Sequence, residues 1–179
     1  MSRTIQTLVL MTLLLLFPSC MKEQLEVEYT RQEEQIDRYI KSLLDKDPTF
    51  SVTHNKGSNR VTLLEGSGKE IGPKSKASIR YAAYIFTGSI SPGNLIATND
   101  AKLAEEAGWN LTDFNSELSK IDLSDKNLIP GLAKGLIGAK EGEECQIIFS
   151  GKYGFGNKHN NIIDKNQALL YHILVVSVE

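Results

Sequence analysis

Apolar and polar positions divide the chain into stretches of different period. Residues 8 to 17, LVLMTLLLLF, form an apolar run of about ten residues interrupted only by Thr12, too short to cross roughly 30 Å of hydrocarbon as a helix. Ile36, Tyr39, Ile40, Leu43 and Leu44 recur at helical spacing and Pro48 closes the segment. That pattern predicts an amphipathic helix from about 30 to 45, with residues 21 to 29 as a flexible tether before it. The apolar stripe either packs on the domain that follows, the preferred reading, or pairs with a second copy.

From residue 50 the period shortens to two. Strands are expected at 60–66, 77–88, 116–125, 143–150 and 168–178. Within 77–88, Ile79, Tyr81, Ala83 and Ile85 alternate with Arg80, Ala82 and Tyr84. SPGN (91–94) reads as a turn, and DAKLAEEAG (100–108), with Asp100 in front and Gly108 behind, as a short helix. Residues 151–166 read as a Gly- and Asn-rich loop. Strands around one short helix indicate an antiparallel α+β domain.

One segment resists this reading. IPGLAKGLIGAKEGEE (129–144) has leucines, lysines and glutamates suited to a helix, yet carries Gly131, Gly135, Gly138 and Gly142. A glycine costs a helix interior roughly 1 kcal/mol relative to alanine.

Composition narrows the function. The 179 residues carry a net charge of -2 with the basic residues scattered. There is neither a basic stripe nor a run of stacked aromatics, so nucleic acid is not an expected partner. His54, His159 and His172 show no ligand spacing, so no metal or cofactor is expected. Cys145 alternates with Ile147 and Phe149 against Glu144 and Gln146, which places it on the inward face of a strand as a small hydrophobe. No histidine or acid lies at a telling spacing that would make it a nucleophile.

The first residues add a compartment. Arg3 precedes the apolar run, and Ser19-Cys20 follows it. This resembles a bacterial lipoprotein signal, although Phe17 and Pro18 depart from its usual box. The resemblance implies removal of residues 1–19 and lipid on Cys20, whose acyl chains at about 0.8 kcal/mol per buried CH₂ hold firmly to a membrane. Met21 is not the aspartate that commonly retains such proteins at the inner membrane, so the resemblance implies the outer membrane of the cell envelope. With Cys20 lipidated, only Cys145 is left and no internal disulfide can form. The alternative is an ordinary secreted protein with an incidental cysteine. The expected organisation is signal 1–19, tether and helix 20–48, and one domain over 49–179.

LIPGLAKGLIGAKEGEECQIIFSGKYGFGN, followed by NIIDKNQALLYHILVVSVE, resembles the C-terminal half of FKBP-type peptidyl-prolyl isomerases. IRYAAYIFTGSISPGNLIATND resembles the family's earlier strand and turn, so the likeness spans about residues 60–179. It implies a twisted antiparallel sheet wrapped around a short helix, with an insert at about 100–118. On this reading Gly131 turns the chain into a helix of barely two turns. Gly135 and Gly138 let that helix press on the sheet, and Gly142 turns into the next strand. A Gly-rich phosphate loop fails as the competing reading, because the glycines lie within the helix and no GK[S/T] follows.

Carried over position by position, the resemblance implies a proline pocket. Tyr81, Ile129, Leu132 and Phe155 would be its catalytic positions, with Leu132 as base and the Ile129 N–H as donor to substrate. Ile96, Leu128, Ile162, Ile163 and Tyr171 would complete the binding surface, the two isoleucines as a lid over the proline ring. Three positions depart from the family: Leu132 where tryptophan is usual, Ile96-Ala97 where Phe-Asp is frequent, and Phe155 where a tyrosine donates to substrate. Trp109, in AGWNLTDF, either flanks the pocket or packs on the sheet edge, and packing is preferred. The expected partners are proline-containing peptides or unfolded exported proteins, and the membrane through Cys20. The expected activity is prolyl isomerisation; the alternatives are a non-catalytic peptide-binding or chaperone module, or a structural envelope lipoprotein assembled through the helix at 30–45.

Overall fold

The computed structural model describes residues 17–156, 158 and 162–179, with side chains from Lys22 onward. The signal segment up to residue 16, the Cys20 side chain and His159 lie outside the described residues. In chain order the elements are α1 (Phe17–Lys46), β1 (Ser51–Asn55), β2 (Ser58–Leu64), β3 (Lys76–Ile85), β4 (Leu95–Thr98), α2 (Ala101–Glu106), β5 (Ser119–Asp122), α3 (Pro130–Leu136), β6 (Glu144–Phe149) and β7 (Leu169–Val178). All strand pairs are antiparallel, in the order β1-β2-β6-β7-β3-β4. β5 also pairs with β3, Ile79 opposite Ser119, on the edge that β4 uses farther along. The expected α+β architecture is therefore the observed one.

Period-two alternation sorts the side chains onto two faces. Ile79, Ala83, Ile147, Phe149, Tyr171 and Ile173 point to one face and meet Leu132 and Leu136 of α3. Val61, Ala82, Tyr84, Ile148 and Leu170 point to the other and meet Ile36 and Ile40 of α1. The α1 stripe thus packs on its own domain. With both faces covered, β6 is buried from Cys145 through Phe149. Even Gln146 is enclosed, its carboxamide oxygen accepting from the Tyr39 hydroxyl at 3.0 Å.

α1 begins earlier than its apolar stripe predicts, and the tether expected at 21–29 is helical instead. Tyr29 and Gln32 extend the buried face one turn back at the spacing of Ile36 and Ile40. Their polar ends are matched rather than solvated. The Tyr29 hydroxyl donates to Asn166 Oδ1 and Gln32 Nε2 to the Asn166 carbonyl, each at 2.8 Å. Gln32 Oε1 accepts from the Gly151 N–H at 2.8 Å. This half of α1 clasps the loop between β6 and β7. Among the described residues no helix is long and apolar enough to cross a membrane.

α3 lies against the sheet at backbone range. A methyl group on Gly131 would sit 2.3 Å from the Phe149 ring, and one on Gly135 would sit 2.2 Å from Ile147 Cγ2. Gly138 differs from expectation: α3 stops at Leu136, and Gly138, at φ 85°, turns the chain away from the helix. The carbonyls left at the end of α3 are taken by a buried side chain, since Arg60 Nη1 donates to Gly135 O and Ile137 O, each at 2.9 Å. Arg60 Nε lies 3.1 Å from Glu143 Oε1 without hydrogen-bond geometry, so that contact is ionic. Glu143 also accepts from the Thr62 hydroxyl (3.1 Å) and the Lys140 N–H (3.0 Å).

Cys145 is fully buried, and desolvation, aided by the Glu143 carboxylate, pushes its thiol well above the ordinary range. The thiolate is the reactive form. In a Cys20→Ser chain the remaining thiol should therefore resist a disulfide reagent at pH 8 in the native state and react at once in denaturant. Rapid native labelling would contradict the burial.

Candidate functional site

Pairing of β5 with β3 and entry of the chain into α3 leave a hollow of about 300 Å³ between them. Its sheet side is Ile79 and Tyr81 from β3, Ile121 from β5 and Tyr171 from β7. Its helix side is Leu128 and Leu132, with Ala97 beside Tyr81 and the carboxylates of Asp122 and Asp125 at the rim. Pro130 at the first helical position sets the direction of α3. Gly131 lets the helix settle on Phe149, and this seats Leu132 in the hollow.

The sheet face carries a row of three rings. β7 lies between β3 and β6, so Tyr171 has Tyr81 on one side and Phe149 on the other. The Tyr81 and Tyr171 centroids are 6.4 Å apart at 29°, and those of Phe149 and Tyr171 are 6.1 Å apart at 18°. Offset stacking at these distances contributes about 0.5–1.5 kcal/mol per pair beyond area burial. Burial pushes both tyrosine hydroxyls above the usual phenol range, Tyr171 further still through the neighbouring Tyr81, so both stay protonated at neutral pH. Among the described residues neither hydroxyl has a protein hydrogen-bond partner. The hollow is thus walled by aliphatic side chains and two protonated tyrosines, with a polar rim.

Tyr81, Leu128, Leu132 and Tyr171, all expected here, come together in it. The others stand elsewhere. Ile129 caps α3, its carbonyl accepting from the Ala133 N–H at 2.9 Å, and its side chain packs at the edge of the core. Phe155 is half-buried against the same core. Ile96 lines a neighbouring groove. The paired lid of Ile162 and Ile163 is not formed by the described residues. Ile163 is buried in the core at 6 % exposure while Ile162 stands out at 65 %. Ile163 thus anchors the loop in the core while Ile162 faces solvent. Ile121, Asp122 and Asp125 join the wall without being singled out by the sequence. Alternation marks Ile121 as inward-facing, but only the non-local pairing of β5 with β3 brings it to this wall.

An open antiparallel sheet closed on a short helix, with an aromatic-floored hollow between them, defines the class. The sequence profile FKBP_C, for FKBP-type peptidyl-prolyl cis-trans isomerase, matches residues 69–176. The chain therefore belongs to that family. Among solved structures it is similar to FkpA from Escherichia coli, at 15% identity and TM-score 0.57, covering 100% of this chain and 74% of that one. A peptidyl-prolyl cis-trans isomerase from Pseudomonas syringae aligns at 13% identity and TM-score 0.59, covering 86% and 95%. The N-terminal domain of FKBP42 from Arabidopsis thaliana aligns at 16% and 0.55, covering 72% and 92%. At these identities the structures speak for the fold. No curated protein sequence matches.

Proposed function

We propose that the hollow is a working prolyl-isomerase site. The observation that carries this is the slot lined by Leu128, Leu132, Ile79, Ile121 and the rings of Tyr81 and Tyr171, whose hydroxyls have no protein partner among the described residues, in a chain of this family. The uncatalysed barrier is near 20 kcal/mol. A twisting amide loses resonance and part of its carbonyl dipole. Walls of Leu132, Ile79, Ile121 and stacked rings therefore favour the twisted form over the planar one, and that difference is what accelerates the step. A thousandfold acceleration needs only about 4 kcal/mol. A phenol O–H bonded to a carbonyl outside the rotating amide holds one half of the peptide while the other turns.

Tyr171→Phe should therefore lower kcat/KM about tenfold, the loss of one hydrogen bond, with the melting temperature unchanged. An unaltered kcat/KM would remove the hydroxyl from the mechanism. The primary test is a protease-coupled assay on an Ala-Leu-Pro-Phe peptide with micromolar protein. Turnover above the spontaneous rate supports catalysis.

A second reading, a peptide-holding module without turnover, is favoured by the missing polar groups at Ala97, Leu132 and Phe155. Peptide binding without acceleration would establish it, and absence of both would end the two readings together.

The setting proposed is the cell envelope, with Cys20 lipidated, the outer membrane as anchor and exported proteins as clients. The Ser19-Cys20 signal pattern supports it. Labelled palmitate should enter the wild-type chain and not Cys20→Ser; equal labelling would refute the anchor.

A further inference from the structure

The slot does not end at Ala97. Tyr81, Ala97 and Ser119 are shared with a second, open hollow of about 640 Å³, bordered by the 109–118 segment. Its walls include Trp109 and Phe114, both half-buried. Trp109 also packs against the outer core beside Leu103, so one ring anchors the segment and faces the groove.

The segment is pinned in place. Asn99 is 4 % exposed, and its Nδ2 donates to the carbonyls of Glu117 (2.9 Å) and Ile79 (3.0 Å). Its Oδ1 accepts from the Tyr81 N–H at 2.8 Å. One side chain thus ties the groove wall to the strand that carries the slot.

Charge sets what fits. Asp113 and Glu117 line the groove and Asp122 and Asp125 line the slot, with Lys120 among them and Lys76 Nζ 3.8 Å from Asp122. Four carboxylates against Lys120 and Lys76 leave a net of two negative charges over the two hollows, as many as the whole chain carries. Among the described residues no cation pairs with Asp113 or Glu117. A net negative field over aromatic walls, concentrated at Asp113 and Glu117, suits a cationic side chain with a long apolar stem, which can lay its methylenes on the rings.

We propose that this groove is a specificity subsite for a lysine or arginine within one or two residues of the proline. The inference rests on the slot being the proline site. Because the two hollows share wall residues, a peptide extending about 3.3–3.6 Å per residue from the slot enters the groove immediately. The clients selected are basic proline-containing segments.

The test uses the full chain and Ala-Leu-Pro-Phe-type peptides with lysine, glutamine or glutamate on either side of the proline. Trp109 is the only tryptophan and lies in the groove, so its fluorescence reports binding directly. The lysine peptide should bind about fivefold tighter than the glutamate peptide at low salt, with the preference fading as salt rises. In an Asp113→Asn, Glu117→Gln chain that ratio should collapse to about unity, with the glutamine peptide unaffected. Equal affinities for all three peptides in the wild-type chain, with turnover intact, would overturn the subsite and leave the isomerase reading standing. No binding and no turnover for any peptide would remove both.

Discussion

Replacing Arg60 by leucine should lower the unfolding free energy by about 3–5 kcal/mol, the range expected when one partner of a buried ion pair is removed. The Glu143 carboxylate has 3 % side-chain exposure and would lose its cation, leaving only the Thr62 hydroxyl and the Lys140 N–H as partners. The carbonyls of Gly135 and Ile137 would lose their donor at the same time. Orphan carbonyls at a helix end are ordinarily met by water or a cap. Here Arg60 is 7 % exposed, so water is a poor substitute. Substituting Glu143 by leucine as well should recover more than half of the loss, because the uncompensated charge goes with it. Urea unfolding of both single variants and the double variant closes the cycle. An Arg60→Leu chain within about 0.5 kcal/mol of wild type, the range of an ordinary surface change, would show that the clamp does not hold α3.

The second large effect is expected at Gly131. Alanine gains roughly 1 kcal/mol of helix propensity there. Against this, its methyl carbon falls 2.3 Å from Phe149 Cγ, and Phe149 is fully buried with Tyr171 stacked on it. Neither ring can leave without opening the core, so α3 must lift. Overpacking of this kind costs typically 1–3 kcal/mol and occasionally more. The net expectation for Gly131→Ala is a loss of about 2 kcal/mol, a drop in melting temperature of about 6 °C. Lifting α3 withdraws Leu132 from the slot, so peptide affinity should fall together with stability. Gly93→Ala is the control: nothing lies within 4 Å of the added carbon, and the melting temperature should not move. If Gly131→Ala melted with the control and bound peptide normally, the close approach of helix to sheet would not be what shapes the hollow.

Much of this molecule can be read along the chain. The alternation through Ile79, Tyr81 and Ala83, and through Cys145, Ile147 and Phe149, marks the inward face of β3 and β6. Asp100 announces α2, its carboxylate accepting from the Lys102 and Leu103 N–H groups as a cap. The glycine spacing of 131 and 135 foretells a helix pressed on a sheet, because only the absence of a side chain explains glycines in a helical pattern. These signals are local: each depends on neighbours within a few residues. The α1 boundary was harder, since Tyr29 and Gln32 look like surface residues until Asn166 and Gly151 arrive opposite them.

Local sequence thus determined most of the elements and the inward faces of β3 and β6, because period and spacing act over one or two turns; β1 and β4 it did not mark, and Leu128, Leu132 and the family followed from the resemblance. Tertiary structure alone decided which residues share a wall. It set β5 on the same edge of β3 as β4, placed Asp122 and Asp125 at the rim, separated Ile163 from Ile162, and ran the slot on into the groove beneath Trp109. The physical reason is that strand pairing joins residues some forty positions apart, such as Ile79 and Ser119, through backbone hydrogen bonds that any side chain can accompany.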